Sequence, residues 1–258
     1  MVSEFMKSQY KHLVVSGCSF TTNEHVPDKS DWNWPNILAQ DTGMTIHNLA
    51  TAGAGNRHIA QSIMVYLEKN QLPLDQTMVM AMWSGVGRID FTVSAELSPR
   101  NRYPWNYFYT PQCRLHQGGH WWNIKSPSVI DKVLIDFSKH QDDYTMALDT
   151  WMAMTALESY LKCQQVKYFF TSFFHFSTNR MYFDAVHVDF DQTLAAMGLK
   201  VDYSNWLNLA ADEYYGDWCK QRELVVEDGF HPGHDGPQRW PREVLMPLLA
   251  NLNILYEL

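Results

Sequence analysis

Cysteine is scarce in this chain. There are four in 258 residues, Cys18, Cys113, Cys163 and Cys219, and no Cys-x-x-Cys pair among them. That spacing fits neither a zinc site nor a dense disulfide framework, and it points to a reduced compartment. Positive charge is also short: 20 Lys and Arg face 28 Asp and Glu, for a net charge of -8. A surface so charged has little grip on a phosphate backbone, which argues against nucleic-acid binding. No stretch approaches the ~18 apolar residues that a membrane span needs. Met1 to Lys11 is polar and lacks the apolar core of a signal peptide. The expected location is therefore cytoplasmic, a reading compatible with association with a larger particle such as a virion.

What the chain does have is apolar and aromatic material. Nearly half the residues are hydrophobic (46%) and 14% are aromatic, ten of them Trp, enough for one well-buried domain spanning residues 1–258. Leu13-Val14-Val15-Ser16 reads as a buried strand that stops at Gly17-Cys18-Ser19. Pro35 starts a helix; Ile46 to Ala50 reads as a second strand. The spacing of Ile59, Ile63 and Leu67 predicts a helix over 57–70. Thr77 to Trp83 is a third strand, a helix covers 144–162, and Val166 to Thr171 is a fourth strand. An amphipathic helix is expected over 237–255. Strands alternating with helices predict an α/β fold, a three-layer α/β/α sandwich of flavodoxin-like type with a mainly parallel sheet. Residues 91–142 break the rhythm with Trp105, Tyr107, Trp121 and Trp122, and are read as an aromatic-rich insertion near the mouth of a site.

Two places carry candidate chemistry. Ser19 follows the first central strand, at the strand end where open parallel sheets bind their ligands. By itself it reads first as a helix cap. Asp228-Gly229-Phe230-His231 spaces a carboxylate and an imidazole three apart, so that Asp228 can fix the tautomer of His231. The plain alternative is an Asx turn beside a solvated histidine.

In these blocks the chain resembles the SGNH hydrolases, also called GDSL-like esterases. The family's Gly-Asp-Ser is matched by Gly17-Cys18-Ser19, with cysteine for aspartate. Its second block, which holds an oxyanion-hole glycine, is matched by Asn48 to Asn56, with Gly53 in that place. Its Asp-x-x-His block is matched by Asp228 and His231. The blocks span nearly the whole chain. The resemblance implies a serine esterase with Ser19 as nucleophile, His231 as general base and Asp228 as orienting acid, needing no cofactor and no metal. The third block departs from the family. Gly-x-Asn-Asp is replaced by Gly85-Val86-Gly87-Arg88, and Gly87 offers no side-chain donor. Losing one oxyanion donor costs ~10²–10³ in turnover unless another group supplies it. Asn56 or Arg88 are candidates, and Arg88 reads equally as the ion-pair partner of Asp90.

Other readings carry less. Cys18 is a buried filler rather than a nucleophile, because its side chain should point away from that of Ser19. His231 with His234, and His116 with His120, lack the acidic or cysteine partners of a metal motif. Trp105, Trp121 and Trp122 suit stacking against sugar rings or acyl chains, and equally a small satellite core. The expected partner is a small ester or glycan, an O-acetylated carbohydrate being the substrate suggested; the alternative is a glycan-binding or structural protein that kept the fold.

Overall fold

Apolar, β-branched residues take the centre of the molecule. Every residue of Thr77–Trp83 is buried, so helices must cover both faces of the sheet it belongs to, and strict alternation disappears. The computed structural model describes residues 6–22, 33–52, 54–86, 88, 90–92, 108–109, 143–173, 190–210, 212–226 and 231–257. In chain order these form β1 (Met6–Ser8), β2 (His12–Ser16), α1 (Ser19–Thr22), α2 (Trp34–Thr42), β3 (Thr45–Asn48), α3 (Asn56–Asn70) and β4 (Thr77–Trp83). Next come β5 (Phe91–Thr92), β6 (Phe108–Tyr109), α4 (Asp143–Cys163), β7 (Lys167–Ser172), α5 (Phe190–Ala196) and α6 (Tyr215–Gln221). Helix α7 (Gly236–Trp240) leads through a π-helical turn at Pro241–Leu245 into α8 (Met246–Asn251), and β8 (Leu255–Glu257) follows.

The main sheet is wholly parallel, in the order β3-β2-β4-β7. Counting only these strands, the order is second, first, third, fourth, as in a flavodoxin-like sheet. A trace of the fifth strand is present. Phe170 of β7 accepts from Leu207 N and donates to Asn205 O, a parallel bridge one residue long. Helix α3 lies on β2 and β4 and packs against α4, while α2 packs against β3, α7 and the π-helical turn. The α/β sandwich expected from the sequence is the fold observed.

Local signals explain the element ends. Asn33 caps α2 by accepting from Asn36 N at 3.0 Å, Pro35 sits in its first turn, and Gly43 closes it at φ 73; only such a left-handed position calls for glycine. At the C-terminal end the structure corrects the sequence reading. The helix expected over 237–255 stops at Asn251, because Asn253 turns the chain at φ 56. Leu255–Glu257 then pairs antiparallel with Met6–Ser8. Pro241 has no N–H to give to the preceding turn, and the backbone there widens into the π-helical turn. Of the insertion expected over 91–142, only the β5–β6 pairing falls within the described residues.

Candidate active site

The site is built where the sheet order reverses, between β2 and β4, which is the crevice where such folds take their ligands. Ser19 opens α1 directly after β2, and Cys18 O closes the first turn by accepting from Thr21 N and Thr22 N at 2.9 and 3.2 Å. Gly17 is there for closeness. A Cβ on it would stand 2.1 Å from Thr21 Oγ1 and 2.8 Å from Thr21 Cβ. Asn48 at the end of β3 holds the other side, its Nδ2 donating to Thr21 O at 3.3 Å and its Oδ1 accepting from Ala50 N at 3.0 Å. Cys18 is fully buried.

His231 arrives from the far end of the chain. It closes a loop whose stem is two backbone bonds, Val226 N to His231 O at 2.9 Å and Gly233 N to Leu224 O at 2.7 Å. Gly236 permits the close approach that follows, since a Cβ there would lie 2.7 Å from Cys219 Sγ. The imidazole Nε2 lies 3.0 Å from Ser19 Oγ, across 212 positions of sequence. Both side chains are buried, at 2% exposure for Ser19 and 8% for His231. The distance falls inside the range a general base needs. Asp228, Gly53, Gly87, Trp105, Trp121 and Trp122 lie outside the described residues, as do His116 and His120.

The third block has its own architecture. Asp90 Oδ1 accepts from Gly55 N at 2.8 Å and Oδ2 from His58 N at 2.7 Å, capping α3 from a distant loop. Arg88 Nη1 donates to Ala54 O at 3.2 Å, and its guanidinium lies 6.0 Å from the centre of the Phe173 ring. Arg88 thus stands beside the residue that follows Gly53. Asn56 is engaged on every side. Its Nδ2 donates to Ser84 O and to Thr150 Oγ1, each at 3.1 Å, and its Oδ1 accepts from Ser84 N at 2.7 Å. In this arrangement both amide hydrogens tie α3 to the end of β4 and to α4.

Sequence reasoning passed over the aromatic setting of the pair. Phe20, next to Ser19, is stacked with the His231 ring at 5.1 Å and with the Phe173 ring at 4.5 Å, and Tyr215 meets its edge at 6.4 Å. The only signal was its place after Ser19. His234, one of the weaker metal candidates, pairs instead with Asp235 at 2.8 Å on the exposed side. Among the described residues no group of three or more His, Cys, Asp or Glu is arranged to hold a metal ion, and no helix is long and apolar enough to cross a membrane.

By sequence, no protein-family model and no curated protein matches the chain. By structure it is similar to TesA, with a TM-score of 0.50 at 10% identity over 94% of this chain and 99% of that one. It is also similar to the psychrotrophic esterase EstA from Pseudoalteromonas sp., at TM-score 0.48, 9% identity and the same coverage, 94% and 99%. A lipolytic G-D-S-L family protein from Veillonella parvula DSM 2008 follows at TM-score 0.45, 10% identity and coverage of 92% and 98%. The likeness to TesA shows a shared α/β fold.

Proposed function

We propose that the protein is a serine ester hydrolase acting on a small acyl ester, with an O-acetylated carbohydrate as the favoured substrate class. The observation that carries the proposal is the 3.0 Å approach of His231 Nε2 to Ser19 Oγ at the sheet's reversal point. A serine bonded to a buried imidazole at the carboxyl end of a parallel strand is an activated nucleophile. His231 Nε2 takes the hydroxyl proton as Ser19 Oγ attacks the ester carbonyl. The tetrahedral intermediate collapses, the C–O bond to the alcohol breaks, and His231 returns the proton to the leaving oxygen. Water then gives a proton to His231 and attacks the acyl-enzyme, releasing the acid and restoring Ser19. Asp228 is the residue we assign to hold Nδ1–H and stabilise the imidazolium.

Negative charge on the carbonyl oxygen needs donors. We assign backbone N–H groups of Ser19 and Gly53, with the Arg88 guanidinium supplying positive charge in place of the family's asparagine side chain. What supports Arg88 is its bond to Ala54 O, next to Gly53. One observation favours the second reading, a glycan-binding protein of low turnover: the Asn56 amide is fully engaged, leaving the third-block donor unreplaced by that route. Trp105, Trp121 and Trp122 are the residues we assign to substrate stacking under either reading.

The test is labelling with a fluorophosphonate and hydrolysis of p-nitrophenyl acetate by the wild type, Ser19→Ala and His231→Ala. Both substitutions should lower turnover on the order of 10⁴-fold or more, and Ser19→Ala should abolish labelling. Hydrolysis that survives Ser19→Ala defeats the proposal; labelling without appreciable turnover favours the binding protein.

A further inference from the structure

We propose that Phe20 is a positioning residue for the ester chemistry, its ring fixing the plane of the His231 imidazole and favouring the imidazolium over the neutral form. The inference rests on the reading of Ser19 and His231 as nucleophile and base. Phe20 is 2% exposed, and its ring is stacked with His231 at 5.1 Å and an interplanar angle of 29°. A benzene face carries negative charge density, so it attracts a cation held within ~6 Å of its centre, and more strongly when water is excluded. Neutral imidazole gains little from that face, whereas the imidazolium that forms as Ser19 is deprotonated gains from it. The stabilisation is thus larger late in the proton transfer than before it.

Phe20 is itself well held. Phe173 is stacked with it at 4.5 Å and Tyr215 meets it at 82°. It also shares the first turn of α1 with Ser19, so nucleophile and ring move as one body. The charged and titratable groups around the imidazole leave this contribution distinct. Arg88 lies beside Phe173, 6.0 Å from that ring, and is common to every variant below. Burial pushes the Tyr215 hydroxyl well above its ordinary range, so it stays neutral. Cys219, a neighbour of Tyr215 on α6, is likewise pushed up by burial. His234 and Asp235 on His231's own segment pair with each other at the surface. Asp228, three positions before His231 in the sequence, is common to every variant below.

The test replaces the face while keeping the shape. Phe20→Leu removes the aromatic face, and pentafluorophenylalanine incorporated at position 20 keeps the ring but reverses its charge distribution. The His231 imidazole is titrated by NMR, its signal assigned by its loss in His231→Gln, and the pH dependence of kcat/KM for p-nitrophenyl acetate is recorded alongside. In Phe20→Leu the titration midpoint of His231 and the acid limb of the rate profile should both move down by about one unit. The fluorinated ring should move them further, and Phe20→Tyr should restore them. KM should change little while kcat falls about tenfold. A His231 midpoint that stays put or rises with the fluorinated ring overturns the proposal, even where activity falls. If Phe20→Leu does not fold, the fluorinated protein decides alone. Absence of Ser19-dependent hydrolysis in the wild type would defeat the esterase reading, and the NMR titration would still report on the ring.

Discussion

A buried histidine that the chemistry does not use sets part of the molecule's response to acid. His58 is 4% exposed in the first turn of α3, and burial lowers its pKa to about 4. Burial and the neighbouring His12 push His47 in the same direction. For both, the folded state holds its proton less tightly than the unfolded chain, whose histidines titrate near 6.5. The stability they contribute is complete above about pH 6.5 and is lost as pH falls, for His58 down toward about pH 4. For His58 the loss is on the order of 3 kcal/mol by pH 4. Urea unfolding at pH 7.5, 6.0, 5.0 and 4.5 should show a midpoint that declines with acid, and His58→Leu should flatten that decline. An equally steep decline in His58→Leu would remove His58 as the cause.

Elements here are joined by residues that local sequence patterns do not reveal. The strands at 12–16 and 77–83 were legible because buried β-branched and apolar runs leave a plain trace. The helix over 57–70 was legible through its spacing, and its observed span is Asn56–Asn70. Asp90 enters the sequence reading only as an alternative ion-pair partner for Arg88; in the structure it caps α3 at Gly55 and His58, and a cap supplied from more than thirty positions away has no local signature. Strand β1 escaped notice because Met6-Lys7-Ser8 is short and partly polar, and gains meaning only from Leu255–Glu257. Gly17 stands where the first central strand ends, ahead of Ser19. Its φ is not among the positive ones, and its role is to let Thr21 approach. Gly17→Ala should therefore push α1 away from β2, destabilising the protein by ~1–3 kcal/mol and slowing fluorophosphonate labelling of Ser19. Thermal unfolding and labelling rates check both, and a labelling rate unchanged in Gly17→Ala would show that the turn tolerates the displacement.

At the scale of the whole molecule, apolar packing outweighs charge. Trp240 is fully buried, crosses Trp34 edge-on at 5.5 Å and lies 4.7 Å from Tyr215, joining α2, α6 and α7. Its Nε1 donates to Glu213 O at 2.8 Å. Nearby, Arg242 grips Asp41 with two bonds of 2.6 and 3.0 Å, but the two side chains are 42% and 20% exposed. Trp240→Ala should cost ~3–5 kcal/mol, whereas Asp41→Asn should cost under about 1 kcal/mol and lose most of that effect in high salt. Guanidinium and urea melts of the two variants, with and without added sodium chloride, measure the contrast. Equal losses would mean that the ion pair fastens the C-terminal helices as strongly as the tryptophan does, against the expected contrast.

The 212 positions between Ser19 and His231 also set an order of events in time. Strands β2, β3 and β4 with helix α3 can come together from the first third of the chain, with the serine already in its turn. The imidazole can join them only once the far end of the chain has reached the sheet. On refolding, the sheet's signal should therefore return before any hydrolysis that depends on Ser19 and His231 does.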